Sequence, residues 1–329
     1  MNHKSRETPN VSRLIFLSCS TDMERRIRNM KGLMHMALFK GAGVALVTPF
    51  ENGLVAYKRL AGLIDWQIGS GIDAIISCGT TGEASTLTDQ EHVETVKFTI
   101  EMADGRIPVL AGAGSNDTSH AIQMAQELEE LGIDGLLIVT PYYNKCTEKG
   151  LIKHYEKIAD SVNTPLILYS VPGRTGVNIT PSVVRELAPH PNIVGIKEAS
   201  GNIDQVVEIA RYISDDFALY SGNDEMVVPL LSMGGSGVIS TVANIAPADT
   251  SRMVHMWLEG DIETSRQIQL ALKPLIDALF AEVNPIPVKA ALSMMNKIKP
   301  EYRLPLCEAG SKTLYDLMNQ MKDYGLIKN

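Results

Sequence analysis

The sequence predicts a (β/α)8 TIM barrel with a C-terminal helical extension. From Ala37 onward, eight short, apolar, β-branched runs recur along the chain, and each ends in polar or Gly/Pro residues. Between them lie amphipathic stretches long enough for three or four helical turns. Runs so continuously apolar belong to strands covered on both faces, which is the pattern of a parallel sheet. Eight such units in one chain of 329 residues suit a closed barrel better than a doubly wound sheet, and no GxGxxG follows the first run.

The elements are expected in this order. A strand at 43–47 precedes a helix at 57–68 that sets Leu60, Leu63, Ile64 and Ile68 at helical spacing. Strands follow at 74–78 and 108–111. The helix at 117–131 opens on Asn/Asp/Thr capping chemistry and stops at Gly132. Further strands fall at 135–140 and 165–169, and Thr180-Pro181 supplies a cap followed by proline in the first turn. The last three strands fall at 193–197, 218–221 and 237–240. Pro247 to Asn329 reads as helical, longer than one closing helix needs. The barrel is therefore assigned to 36–261 and an appended helical region to 262–329. Residues 1–35 form an N-terminal extension, either disordered or the product of a start upstream of Met34 or Met36. Its apolar run at 14–19 is too short for a signal peptide.

Composition narrows the function. With 45% hydrophobic and 21% charged residues the chain is globular, which excludes disorder, collagen and coiled coil. Its net charge of −8 argues against nucleic acid as the main partner. The charge is uneven, because residues 1–35 are net basic and leave the remainder more acidic still. Such a body needs local positive groups to hold an anionic substrate. No apolar run approaches the ~18 residues that span a bilayer. Cys19, Cys78, Cys146 and Cys307 are scattered without a CxxC pair, which suggests thiols in a reducing cytoplasm. The seven histidines form neither HxH nor HExxH, so metal chemistry has little support.

In this architecture reacting groups come from the C-terminal ends of strands and the loops after them. Lys197 closes the apolar run Ile193–Ile196, so the barrel should enclose its stem. Withdrawing an ammonium from water favours the neutral amine, which can form a Schiff base with a ketone. The alternative is a lysine reaching to the rim or pairing with Glu198. Tyr169 also ends a strand and could shuttle protons near an imine, or could be hydrogen-bonded packing. Thr80-Thr81 lie between two glycines that let backbone N–H groups approach a small anion, unless the segment is simply a tight turn. Arg174, in a Pro-Gly-Arg loop, suits a carboxylate or a surface ion pair. The glycine-rich stretch 233–237 before the eighth strand supports a rival reading as a phosphosugar enzyme, or else is a turn.

Four ordered motifs at matching spacings resemble the dihydrodipicolinate synthase family of pyruvate-dependent class I aldolases, over about Met36 to Asn329. They are Gly79-Thr80-Thr81-Gly82-Glu83, Thr140-Pro141-Tyr142-Tyr143-Asn144, Tyr169-Ser170-Val171-Pro172-Gly173-Arg174-Thr175-Gly176 and Gly195-Ile196-Lys197-Glu198-Ala199. The resemblance implies a Schiff-base aldol condensation of pyruvate with L-aspartate 4-semialdehyde in lysine (diaminopimelate) biosynthesis. It implies no cofactor and no metal, a cytoplasmic location, and a homotetramer built as a dimer of dimers. Lys197 matches the family's Schiff-base lysine and Tyr169 its proton-transferring tyrosine. Thr80 and Tyr143 match the proton relay, with Tyr143 supplied by a neighbouring subunit. Pyruvate would rest on the N–H groups of Thr80 and Thr81, beside the Ile239 backbone, and Arg174 would hold the carboxylate of the second substrate.

His92, Asn116 and Tyr142 match the family's allosteric lysine cleft. The chain departs from the family in carrying Cys146 for the usual Pro and Ser170 for the frequent Asn. It also has Ala84 and His120 where lysine-sensitive members have Ser and Glu. An imidazole is a poor substitute for a carboxylate facing an ammonium, so weak or absent inhibition by L-lysine is expected. The rivals are a sibling aldolase, such as an N-acetylneuraminate lyase or a keto-deoxy sugar acid aldolase, and a non-catalytic binding barrel.

Overall fold

The computed structural model describes residues 37–328, and the expectations for residues 1–35 lie outside them. The chain enters at β1 (Gly41–Ala45) and makes a hairpin of β2 (Phe50–Glu51) and β3 (Leu54–Val55). The first repeats are α1 (Tyr57–Gly69), β4 (Ala74–Ser77), α2 (Asp89–Ala103), β5 (Val109–Gly112) and α3 (Thr118–Glu130). Then come β6 (Gly135–Val139), α4 (Glu148–Ala159), β7 (Leu166–Ser170), the short α5 (Pro172–Thr175) and α6 (Pro181–Leu187). β8 (Ile193–Glu198), α7 (Ile203–Ala210), β9 (Ala218–Ser221), α8 (Val227–Leu231), β10 (Gly237–Ser240) and α9 (Pro247–Leu258) complete the repeats. Three helices follow: α10 (Ile262–Leu279), α11 (Ile286–Met294) and α12 (Ser311–Asp323).

Among the described residues, eight parallel strands form a closed barrel, with β1 paired to β4 on one side and to β10 on the other. Side chains at alternate strand positions fill the interior, including Ile76, Leu110, Leu137, Ile167, Tyr169 and Ile239. Those at the intervening positions pack against the helices, as Ile138, Leu168 and Ile196 do. The N-terminal ends are plugged by Phe39, whose ring stacks on Tyr220 at 4.6 Å and whose carbonyl accepts the Tyr220 hydroxyl. Predicted caps are present: Thr180 accepts from Val183 N and Asp117 from Ser119 N. Among the described residues no helix is long and apolar enough to cross a membrane.

Three details depart from the sequence expectation. β1 runs two residues earlier than expected, because Gly41 and Ala42 are strand residues and not its flank. A Cβ on Gly43 would come within 2.9 Å of the Phe39 ring and 2.7 Å of Ile76, so glycine is what the filled interior admits there. The β2–β3 hairpin, two residues per strand, gave no periodic signal. The 233–237 loop lies at the wrong end for a phosphate site. Ser236 ties the starts of β1 and β9 together, its carbonyl accepting from Gly41 N and its own N–H donating to the Leu219 carbonyl, at the pole opposite the strand ends where reacting groups gather.

Candidate active site

β7 and β8 pair in register with Tyr169 opposite Lys197, so two inward-facing residues stand at the same height, each one residue before the end of its strand. Lys197 is 5% exposed, and its Nζ lies 4.3 Å from the centre of the Tyr169 ring. The amine therefore neither reaches the rim nor pairs with Glu198. That neighbour points to the opposite face, where its carboxylate accepts from Ser200 N and Gln205 Nε2. Burial pushes the Glu198 carboxyl up. Gly222, just beyond β9, leaves room for the lysine. A Cβ there would stand 3.0 Å from Lys197 Cε and 2.7 Å from the Ala199 Cβ.

Lys197 opens on a cavity of about 280 Å³ that Thr81, Tyr169, Arg174, Thr241 and Asn284 also line. A second cavity, about 480 Å³, shares Tyr169, Val171 and Arg174 with the first and is lined by Thr80, Ser85, Asp89, His92, His120 and Tyr142. Two threonines adjacent in sequence thus serve different cavities. Arg174 donates to the Asn284 carbonyl at 2.9 Å, and Asn284 Nδ2 donates to Thr81 Oγ1 at 2.8 Å. Asn284 comes from the segment between α10 and α11, and its buried Oδ1 has no hydrogen-bond partner. Sequence reasoning missed it. The one available signal was a polar residue before two prolines, Pro285 and Pro287, in an otherwise helical region.

The structure brings Lys197, Tyr169, Thr81 and Arg174 around one space and sets Thr80 on the adjoining one. Ile239 lies in the barrel interior, 1% exposed, without lining either cavity. Tyr143 is 91% exposed, in a left-handed conformation, and lines neither cavity of its own chain. Asn116 likewise lines neither, and its carbonyl accepts from Asn144 Nδ2. His92 is buried against the larger cavity, its Nε2 without a partner, and burial pushes its imidazole down. The larger cavity also contains a carboxylate that the sequence reading overlooked. Asp89 stands 3.1 Å from His120 Nε2, so acid and imidazole satisfy each other across it. Among the described residues no group of three or more His, Cys, Asp or Glu could hold a metal ion.

A buried amine beside a tyrosine, facing a space with an arginine and one of two glycine-flanked threonines, can capture a keto acid as an imine and move protons around it. Residues 38–324 match the model of the dihydrodipicolinate synthetase family. A 4-hydroxy-tetrahydrodipicolinate synthase from Acetivibrio thermocellus is 53% identical over 89% of this chain and 100% of its own length. The structure of a monomeric dihydrodipicolinate synthase variant superposes with a TM-score of 0.87 at 43% identity, covering 88% of this chain and 98% of that one. A dihydrodipicolinate synthase from Acinetobacter baumannii complexed with pyruvate gives 0.86 at 42% identity, covering 88% and 99%.

Proposed function

The chain belongs to the dihydrodipicolinate synthetase family, and on that premise we propose that it condenses pyruvate with L-aspartate 4-semialdehyde, the 4-hydroxy-tetrahydrodipicolinate synthase reaction of lysine biosynthesis. The observation that carries the reading is the buried Lys197 amine 4.3 Å from the Tyr169 ring at the mouth of the barrel.

Each step follows from the side chains around that space. The Lys197 amine adds to the pyruvate ketone while the Thr80 and Thr81 amides hold the carboxylate. Tyr169 delivers the proton with which water leaves, and an iminium forms. The iminium withdraws electrons from the adjacent methyl, whose proton departs to give an enamine. That carbon attacks the aldehyde, whose own carboxylate is held by Arg174. The aldehyde oxygen takes up a proton, and the amino group that came with the semialdehyde then adds to the imine carbon as the bond to the Lys197 nitrogen breaks, so the lysine leaves as a protonated amine. The Asn284 carbonyl and its amide support Arg174 and Thr81, the two groups that would hold the two carboxylates.

The relay from Tyr169 through Thr80 ends on Tyr143 of a neighbouring subunit. The exposure of Tyr143, and its absence from either cavity of its own chain, support that assignment. The unit of activity is then a homo-oligomer, which we take to be a tetramer acting in the cytoplasm. His92 and Tyr142 belong to an effector cleft in which the one lining acid, Asp89, is already engaged by His120, and Asn116 stands outside that lining. The barrel at 36–261 supplies the chemistry and the region 262–329 braces it.

The test is to incubate the protein with pyruvate, reduce with borohydride and weigh the intact chain. A pyruvyl adduct on the wild type, lost in Lys197→Ala, is expected; an unmodified wild-type chain defeats the reading. Turnover of aspartate semialdehyde without cleavage of sialic acid separates the proposal from its sibling aldolases.

A further inference from the structure

We propose that Lys289, on a helix beyond the barrel, is a positioning residue for the keto-acid site: through Glu83 it sets the threonine amides on which the substrate carboxylate rests. The inference depends on the functional reading above and concerns residues to which that reading gives no part.

Glu83 ends the loop that carries Thr80 and Thr81, and its φ of +55° lies in the left-handed region that L side chains rarely adopt. Its N–H donates to the Thr80 carbonyl at 3.1 Å, so the turn of the Glu83 backbone is passed directly to the peptide of the substrate-binding threonines. The glutamate is 2% exposed, and its Oε1 meets Lys289 Nζ, on the wholly buried Lys289, at 2.5 Å. The Arg303 backbone N–H donates to Oε2 at 3.4 Å. Phe50 and Tyr302 flank the ammonium, their ring centres 4.3 and 5.3 Å from Nζ.

Well-packed apolar residues would stabilise such a place at least as well as a buried ion pair, because desolvating two charges is costly. What a charge pair adds is direction. A buried carboxylate with one ammonium within reach has one satisfactory orientation, and that orientation holds the strained backbone in place. The rest of the loop is tied in the same manner. Thr48 Oγ1 donates to the Gly82 carbonyl at 2.6 Å, and Asn284 Nδ2 holds the Thr81 hydroxyl. Asn284, Lys289 and Arg303 all follow α10, so the chain after the barrel grips a catalytic loop that lies near its start.

Three variants test this: Lys289→Met, Glu83→Gln and the double variant, each assayed with either substrate varied and by thermal unfolding. Lys289→Met should raise the pyruvate KM tenfold or more while the semialdehyde KM stays within twofold. Glu83→Gln keeps an oxygen for Lys289 and should raise it less than threefold. The double variant carries no unpaired buried charge, so it should regain most of the lost melting temperature yet keep the high pyruvate KM. A merely structural pair predicts the reverse, with a normal pyruvate KM once stability returns. That result, or parallel rises in both KM values, overturns the proposal. If Lys289→Met does not fold, the double variant decides alone. A wild type that traps no pyruvate under borohydride overturns the functional reading and this inference together. Normal trapping with unchanged KM values in the variants overturns this inference only.

Discussion

At the scale of single residues, the site depends on how little room surrounds one amine. Gly222→Ala would press a methyl against Lys197 Cε, and displacements of this size cost about a hundredfold when they fall on a reacting atom. We expect borohydride-trapped pyruvate to form about a hundred times more slowly in that variant, with a melting temperature lowered by the clash with the Ala199 Cβ. On the proposed relay, Tyr143→Phe removes a proton donor to a neighbouring subunit. Turnover should fall about a hundredfold or more while the pyruvate adduct still forms, and full activity would remove Tyr143 from the relay. In the larger cavity Asp89 is paired with His120, so on the proposed effector reading submillimolar L-lysine should leave the rate of the wild type nearly unchanged. His120→Glu puts a second acid beside Asp89 and should make the rate lysine-sensitive, which a titration of initial velocity would show. Inhibition of the wild type itself would refute the assignment.

At the scale of elements, α3 and α4 meet over a histidine that chemistry does not need. His154 is buried, with Nδ1 2.9 Å from Thr118 Oγ1 and Nε2 unpartnered, and burial pushes it down to about 4. Its value in the folded chain is below the ordinary one, so between pH 6.5 and 4 the unfolded chain binds more protons. Its contribution, about 3 kcal/mol, is present above pH 6.5 and lost as pH falls toward 4. Asp224 works the other way, because burial pushes it up to about 6 and acidification there favours the folded state. His154→Gln should therefore lose less stability than the wild type between pH 6.5 and 4.5 in denaturant titrations, and equal slopes would rule His154 out. These features were illegible in the sequence for a plain reason. Strand and helix periodicity reports which face of an element is apolar, and it located the barrel strands and the start of α10. It does not report which polar side chain from a distant element fills a gap. Asn284 on Thr81 and Lys289 on Glu83 each span about two hundred positions.

At the scale of the molecule, the motif residues on β7, β8 and the loops after β4 and β7 were legible because barrel topology gathers strand ends at one pole. The glycine loop at 233–237 is the turn that its sequence allowed and not a phosphate site, since position relative to a strand matters more than composition. Asp89 shows the complementary failure. Position by position, His120 looked like the loss of an acid, whereas the folded cleft supplies one from the next helix over. If Tyr143 crosses to a neighbour, activity belongs to the assembly. Dilution that drives dissociation should then lower turnover per chain while leaving Lys197 able to capture pyruvate, and a dilution series read by initial rate and by trapped mass would separate the two.

The pairing of β1 with β10 has a consequence for how such a chain is made. The opening strand has one of its two neighbours almost two hundred residues downstream, so during synthesis it emerges from the ribosome with bare amides and carbonyls along one side. Contacts of that sequence separation form slowly, and an uncapped border invites wrong partners. A nascent chain arrested before Gly237 is therefore an open, self-adhesive ribbon, and release of the last strand is the moment at which the polypeptide stops being hazardous to its neighbours.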